Sequence, residues 1–134
     1  MNQAQKKILI VDDDDEIREL LEFDVAQSGY FVDTAKDGLE GLNKALNNSY
    51  DLILLDHMMP IMDGMEVMGR LLSMPDYSKE KTPVIALTAN AIVGVEKEYL
   101  DAGFAAYLSK PIIPERLDEL LAKFLPKDKI QFVS

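Results

Sequence analysis

Short apolar runs rich in β-branched residues alternate along the chain with longer segments of helical periodicity. Five such runs predict strands, at residues 8–11, 31–35, 52–55, 84–87 and 106–108. Successive runs start 23, 21, 32 and 22 residues apart, a spacing that leaves room for one crossover helix between parallel neighbours. The sequence therefore predicts an α/β fold built on a five-stranded parallel sheet.

The segments after the first two runs carry apolar residues at helical spacing and predict the first two helices. Their apolar faces consist of Ile17, Leu20, Leu21, Val25, Leu39, Leu42 and Leu46. Gly29 predicts a left-handed terminator for the first helix. Gly38 and Gly41 lower the helix propensity of the second, which we place at residues 37–47.

Capping residues mark three further helices. Asp63 predicts the N-cap of a helix over residues 65–72. Gly103 follows a fourth helix over residues 91–102, and Pro114 suits the first turn of a fifth. The apolar face of the fifth helix consists of Leu117, Leu120, Leu121 and Phe124. Because no linker-like segment interrupts this pattern, we expect one domain over residues 1–134, with its core at 8–125.

Composition argues against several function classes. Lysine and arginine number 14 against 24 aspartates and glutamates, a net charge of −10, which disfavours direct binding to nucleic acid or anionic lipid. The absence of cysteine excludes disulfides and thiolate chemistry and suits a cytoplasmic protein. No apolar run approaches the 18 or so residues that cross a bilayer, and the polar N-terminus does not resemble a secretory signal, so we expect no membrane insertion.

Polar residues follow four of the predicted strands. Asp12 and Asp13 come after the first, Asp56 after the third, Thr88 after the fourth and Lys110 shortly after the fifth. Ligands of open parallel sheets bind outside the carboxyl ends of the strands, where the strand order reverses. We therefore expect these five residues to share one site.

The residue types favour phosphoryl chemistry with a hard metal ion. Carboxylates that converge on one crevice repel one another unless a cation neutralises them, and ligands that are all oxygen favour Mg²⁺ or Mn²⁺. With the metal on one side and the Lys110 ammonium on the other, an aspartate oxygen can attack a phosphorus in line. The Thr88 hydroxyl can donate to a phosphoryl oxygen.

Each residue also has a simpler interpretation. The acidic run at residues 12–16 can cap the first helix, Thr88 can serve a turn, and Lys110 can be an ordinary surface lysine. Asp56 is harder to explain, because it follows a strand expected to be buried on both faces. For His57, the only histidine, we favour a structural or incidental role. For the methionine cluster we favour packing in the core and loops; its members are Met58, Met59, Met62, Met65 and Met68.

Over residues 8–125 the chain resembles a response regulator receiver domain. Five segments carry the resemblance in family order: 8–13 (ILIVDD), 51–56 (DLILLD), 59–64 (MPIMDG), 86–89 (ALTA) and 107–111 (YLSKP). The resemblance implies a doubly wound, flavodoxin-like (βα)5 fold with strand order 2-1-3-4-5. The sequence around Thr88 and Lys110 resembles receivers of hybrid histidine kinases most.

The resemblance also implies roles for the residues at the strand ends. Asp56 would accept a phosphoryl group from a phosphohistidine of a sensor kinase or phosphotransfer protein. Asp13, Asp56 and the backbone carbonyl of Met58 would bind Mg²⁺, with Asp12 acting largely through a water molecule. Thr88 and Lys110 would hold the phosphoryl oxygens.

The resemblance also implies a conformational switch at the face formed by helix four, strand five and helix five. Tyr107 matches the aromatic residue that turns inward as Thr88 moves toward the phosphoryl group, and the Lys110–Pro111 bond would be cis. Met58 and Asn90 occupy two positions that vary and tune the phosphoryl lifetime. We expect a monomer or weak dimer that catalyses only its own phosphorylation and slow dephosphorylation; its downstream protein target is unknown.

Two alternatives come from other classes. A small Mg²⁺-dependent aspartyl-phosphate hydrolase of the haloacid dehalogenase type needs an Asp-x-Asp-x-Thr motif; Asp12 and Asp14 fit it, but Glu16 stands where threonine is expected. A receiver-like adaptor that is never phosphorylated would not need the complete set of acids, threonine and lysine.

Overall fold

Five parallel strands form the centre of the molecule, as predicted. The computed structural model describes residues 6–59, 62–89 and 95–125. The strands are β1 (Lys7–Val11), β2 (Phe31–Ala35), β3 (Leu52–Asp56), β4 (Val84–Thr88) and β5 (Ala106–Ser109). They pair in the order β2-β1-β3-β4-β5. This order reverses between β1 and β3, which leaves a crevice at the carboxyl ends of these two strands.

Helices cover both faces of the sheet. They are α1 (Asp15–Gln27), α2 (Gly38–Asn47), α3 (Gly64–Leu72), α4 (Val95–Ala102) and α5 (Pro114–Phe124). The start predicted for the fourth helix, together with Asn90, lies outside the described residues, as do residues 60–61 of the third sequence motif. Every helix in the described part of the chain is too short or too polar to span a bilayer.

Strand side chains alternate between two apolar clusters, one on each face of the sheet. Ile53, Leu55 and Ala86 pack on the face shared with α2, α3 and α4. Leu54 and Leu87 pack on the other face, against α1 and α5. All five residues of β3 and of β4 are buried. A strand buried on both faces reads as a continuous apolar run, which explains why the sequence marks these two strands so clearly.

Predicted local signals start α3 and end α1 and α4. The Asp63 carboxylate accepts a hydrogen bond from the backbone N–H of Glu66 and caps α3. Gly29 and Gly103 follow α1 and α4 with φ angles of 97° and 109°, in the left-handed region that favours glycine.

The predicted apolar faces of the first two helices are wrong in part. Leu20 is 70 % exposed, and Leu39 and Leu46 are also exposed. A Cβ atom on Gly41 would lie 2.8 Å from the Val11 side chain, so α2 approaches β1 closely along its glycine side. Packing through glycine turns the two leucines of α2 outward. α1 packs through Leu21 and Val25 instead of Leu20.

Candidate functional site

The carboxyl ends of four strands bring the predicted site residues together. Asp12 follows β1, Asp56 ends β3, Thr88 ends β4, and Lys110 follows β5. The backbone N–H of Lys110 donates to the carbonyl of Thr88 at 2.7 Å, which ties the ends of β4 and β5 together. Apart from tyrosines, the polar residues buried in the described part of the chain are Asp12, Asp56 and Thr88. Buried polar chemistry is thus concentrated at this edge of the sheet.

Three carboxylates form a cluster that suits one cation. Oxygen atoms of Asp12, Asp13 and Asp56 lie within 4.8 Å of one another. Asp12 and Asp56 are buried, whereas Asp13 is exposed. Two buried acids beside a third are costly unless a positive charge compensates them. The all-oxygen donor set fits Mg²⁺, which needs few protein ligands and keeps several waters.

The Lys110 ammonium supplies one positive charge. Its Nζ atom lies 3.1 Å from Asp56 Oδ1 and 3.1 Å from Asp12 Oδ2. The contact with Asp56 is a hydrogen bond, and the contact with Asp12 is an ion pair. One lysine therefore faces two buried carboxylates with a third beside them, so a further cation is needed to balance the charge of the cluster.

The pKa values of Asp56 and Lys110 reflect the excess of carboxylates over lysines at the site. Burial, followed by the charge of Asp12, raises the pKa of Asp56 to about 7, against the opposing effect of Lys110. Burial alone would lower the pKa of Lys110, but the charges of Asp12 and Asp56 outweigh it and hold that pKa above its usual value. The site therefore favours Lys110 as a cation and penalises a second negative charge at Asp56.

Local contacts hold Asp12 and the backbone of Asp56 in position. Asp12 Oδ1 accepts from the backbone N–H of Asp14 at 2.9 Å, and the Asp12 carbonyl accepts from the Arg18 guanidinium at 2.8 Å. The start of α3 approaches the end of β3 closely: a Cβ atom on Gly64 would lie 2.5 Å from the Asp56 carbonyl oxygen. Only glycine fits this close approach.

Sequence reasoning missed an aromatic cluster beside the site. His57 Nδ1 and the Tyr99 hydroxyl share a hydrogen bond of 2.7 Å. The Tyr99 ring stacks on Tyr107, with centroids 5.9 Å apart, and meets Phe104 edge to face. Only the pairing of β5 with β4 and the position of α4 bring these rings together, so no local sequence pattern identifies the cluster.

The remaining predictions have mixed outcomes. Met59, Met62 and Met68 are buried and Met65 packs against them, as expected for core packing. Met58 is 67 % exposed, so the packing interpretation is wrong for its side chain. The Lys110–Pro111 peptide bond is cis, in agreement with the resemblance.

A family model described as the response regulator receiver domain matches residues 8–122. The chain belongs to this family. Response regulator MprA of a Mycobacterium species is 43 % identical over 117 residues, covering 87 % of this chain and 48 % of MprA. Response regulator ArlR of Staphylococcus aureus is 37 % identical over 117 residues, covering 87 % of this chain and 50 % of ArlR. The receiver thus spans about half the length of these curated relatives.

Solved receiver structures have the same fold. Chemotaxis protein CheY4 of Vibrio cholerae superposes with a TM-score of 0.83 at 34 % identity, covering 91 % of this chain and all of that one. The receiver domain of the Pseudomonas aeruginosa sensor histidine kinase PA1611 superposes with a TM-score of 0.82 at 31 % identity, covering 92 % of this chain and all of that one. That structure has a magnesium ion coordinated in its active site cleft. The likeness to hybrid-kinase receivers in particular stays a prediction.

Proposed function

We propose that Asp56 is the phosphoacceptor of this receiver and takes a phosphoryl group from a phosphohistidine of a sensor kinase or phosphotransfer protein. The observation that carries the proposal is the position of Lys110 Nζ, 3.1 Å from Asp56 and from Asp12, beside three clustered carboxylates. A buried carboxylate flanked by one fixed cation and a site for another can attack phosphorus while both positive charges neutralise the transferred group.

In this proposal Asp13, Asp56 and the Met58 carbonyl bind Mg²⁺, and Asp12 acts largely through a water molecule. The excess of three clustered carboxylates over one lysine supports a cation at this position. Bound Mg²⁺ supplies charge neutralisation of the phosphoryl oxygens. Mn²⁺ can substitute, because it prefers the same oxygen ligands and octahedral geometry.

The residues of the chain carry the transfer step itself. An Asp56 carboxylate oxygen attacks the phosphorus, a P–O bond forms, and the P–N bond to the donor histidine breaks in line with it. The histidine leaves with the electron pair of that bond and takes up a proton. Lys110 and the Thr88 hydroxyl hold the phosphoryl oxygens as their charge changes.

The proposal includes a conformational switch that follows phosphorylation. Movement of Thr88 toward the phosphoryl group lets Tyr107 turn inward and alters the surface formed by α4, β5 and α5. We propose one receiver domain over residues 1–134 that is a monomer or weak dimer, works in the cytoplasm and signals to a protein target. Its net charge of −10 argues against direct nucleic-acid binding.

We further propose that the domain is a signalling module and not an enzyme acting on other phosphoesters. Asp14, which a haloacid dehalogenase motif would require at the site, instead caps α1 by accepting from the backbone N–H groups of Glu16 and Ile17. The five site residues present at the strand ends also disfavour an adaptor that is never phosphorylated.

Intact-mass spectrometry tests the proposal. With acetyl phosphate and Mg²⁺, the wild type should gain one phosphoryl group, and Asp56→Asn should gain none. Small phosphomonoesters should not be turned over at steady state. A full gain of mass in Asp56→Asn would move the acceptor to Asp12, Asp13 or Ser109, and sustained phosphatase turnover would favour the hydrolase.

A further inference from the structure

A series of side-chain contacts connects the residue after Asp56 to α4 and β5. His57 Nδ1 lies 2.7 Å from the Tyr99 hydroxyl, and the two rings meet edge to face at 5.3 Å. The Tyr99 ring in turn stacks on Tyr107 at 5.9 Å with an interplanar angle of 24°. Tyr99 is only 2 % exposed. One buried side chain on α4 therefore contacts both the loop after β3 and the aromatic residue of β5.

The backbone of His57 is fixed to that of its neighbours. Its N–H donates to the Leu87 carbonyl at 2.9 Å, and its own carbonyl accepts from the N–H of Gly64 at 2.9 Å. Gly64 also lies too close to the Asp56 carbonyl to tolerate a Cβ atom. The backbone of His57 is therefore joined to β4 and to the start of α3, and its ring joins this segment to Tyr99.

We propose that Tyr99 is a positioning residue of the switch. Through its hydrogen bond to His57, Tyr99 holds α4 and Tyr107 in the arrangement seen here. This inference rests on the proposed function, because it concerns how a phosphoryl group on Asp56 changes Tyr107. An inward turn of Tyr107 alters its stacking on Tyr99. The hydrogen bond that anchors Tyr99 opposes that turn and stabilises the unphosphorylated arrangement.

Tyr77 provides a matched control, since it is also a tyrosine with a bonded hydroxyl. Its hydroxyl donates to the backbone carbonyl of Thr82 at 2.8 Å, within the segment between α3 and β4. The partner of Tyr99 is instead a side chain 42 residues away, adjacent to Asp56. Removing either hydroxyl deletes one ordinary hydrogen bond, but only Tyr99 connects the phosphorylation site to β5.

The test is a titration with beryllofluoride, which stands in for the phosphoryl group, in the presence of Mg²⁺. The readout is the NMR signals of the Tyr107 ring. In Tyr99→Phe, the free protein should show Tyr107 signals closer to their bound positions. The apparent affinity for beryllofluoride should rise about two- to tenfold, the change in an equilibrium constant that loss of one hydrogen bond produces. Tyr77→Phe should titrate like the wild type.

Variants of His57 test the hydrogen bond itself. His57→Leu removes the partner of Tyr99 and should reproduce the effect of Tyr99→Phe, and the double variant should show no larger effect than either single one. His57→Asn places a polar atom near the position of Nδ1 and should restore the wild-type titration. Additive effects, or a failure of asparagine to restore the titration, would overturn the hydrogen bond as the coupling element.

The outcomes separate this inference from the proposed function. If the wild type binds beryllofluoride and Tyr107 responds, but Tyr99→Phe titrates like the wild type, the role of Tyr99 is wrong and the phosphoacceptor proposal stands. If the wild type fails to bind beryllofluoride with Mg²⁺ present, the proposed function fails and this inference fails with it.

Discussion

Two aspartates beside lysines occupy opposite electrostatic environments in this molecule. On the edge strand β2, Asp33 accepts hydrogen bonds from the Tyr50 hydroxyl at 2.6 Å and from Lys44 Nζ at 3.1 Å. Burial alone would raise its pKa, but these two hydrogen bonds and the Lys44 charge outweigh burial and lower the pKa. At the site, burial and a second carboxylate raise the pKa of Asp56 to about 7.

The difference shows how a carboxylate that is matched by donors is distinguished from one that lacks a balancing charge. Asp33 has enough donors for its negative charge, so its ionised form stabilises the fold. Asp56 shares one lysine with Asp12, and its ionised form is disfavoured until another cation arrives. This contrast, and the metal site and switch proposed beside it, predict effects that decrease in size from Asp56→Asn to Thr88→Ala.

Asp56→Asn should stabilise the metal-free protein. At about pH 8 the wild-type Asp56 is ionised although its pKa is raised, so removing the charge should increase the free energy of unfolding by about 1–4 kcal/mol. Urea denaturation in the presence of a chelator measures this change. The gain should shrink as the pH falls from about 7 to 4, because protonation of Asp56 in the folded wild type relieves the same repulsion. Lower stability of Asp56→Asn than of the wild type at pH 8 would contradict the inferred repulsion at Asp56.

Asp33→Asn should change the free energy of unfolding in the opposite direction. It removes a charge that Tyr50 and Lys44 stabilise, so the free energy of unfolding at neutral pH should fall by about 1–2 kcal/mol, a value reduced for the partial exposure of this pair. Because the folded-state pKa is lowered, this contribution is present above the unfolded pKa of about 4 and is lost below it. Equal stability of the wild type and Asp33→Asn at pH 7 would show that the hydrogen bonds of Asp33 to Tyr50 and Lys44 do not stabilise the fold.

Mg²⁺ should stabilise the wild type by mass action. Several millimolar Mg²⁺ should raise the melting temperature, with a gain of about 1.4 kcal/mol for each tenfold excess over the Kd. Asp13→Asn should show much less of this gain, whereas Asp33→Asn should retain it, since Asp33 lies outside the acidic cluster. Equal rises in the wild type and Asp13→Asn would remove the cluster from consideration as the metal site.

Thr88→Ala should affect signalling more than phosphorylation. Asp56 should still accept a phosphoryl group, but most of the NMR response of Tyr107 to beryllofluoride should be lost, a coupling of about 1 kcal/mol or more. Thr82→Ala is a suitable control, because the Thr82 hydroxyl donates to the Tyr50 carbonyl at 2.7 Å and lies outside the site. Identical shifts across β5 in the wild type and Thr88→Ala would show that the switch uses another route.

The sequence identified the strands well because most of them are continuous apolar runs. The predicted ends were one residue short at β3, β4 and β5, which continue to Asp56, Thr88 and Ser109. Aspartate is depleted in strands, so local propensity argues for stopping before Asp56. The pairing of Asp56 with Leu87 overrides this propensity, and the pairing of Thr88 with Ser109 extends β4 and β5.

The positions of the candidate site residues were predicted more completely than the side-chain packing around them. Its residues lie at strand ends, and the parallel topology alone brings those ends to one edge of the sheet. In contrast, the exposure of Leu20 and the contact between His57 and Tyr99 depend on how helices dock on the sheet. Docking is set by tertiary contacts such as Gly41 against Val11, which no periodicity in the sequence reports.

Chemical mapping of the phosphorylated residue tests the central claim most directly. The protein is treated with acetyl phosphate and Mg²⁺ and then with borohydride, which reduces an aspartyl phosphate to homoserine, and its peptides are sequenced by mass spectrometry. We predict homoserine at position 56 alone, and none when Mg²⁺ is chelated. Homoserine at position 12 or 13, or a phosphoryl group that survives reduction on Ser109, would contradict the assignment of Asp56 as the phosphoacceptor.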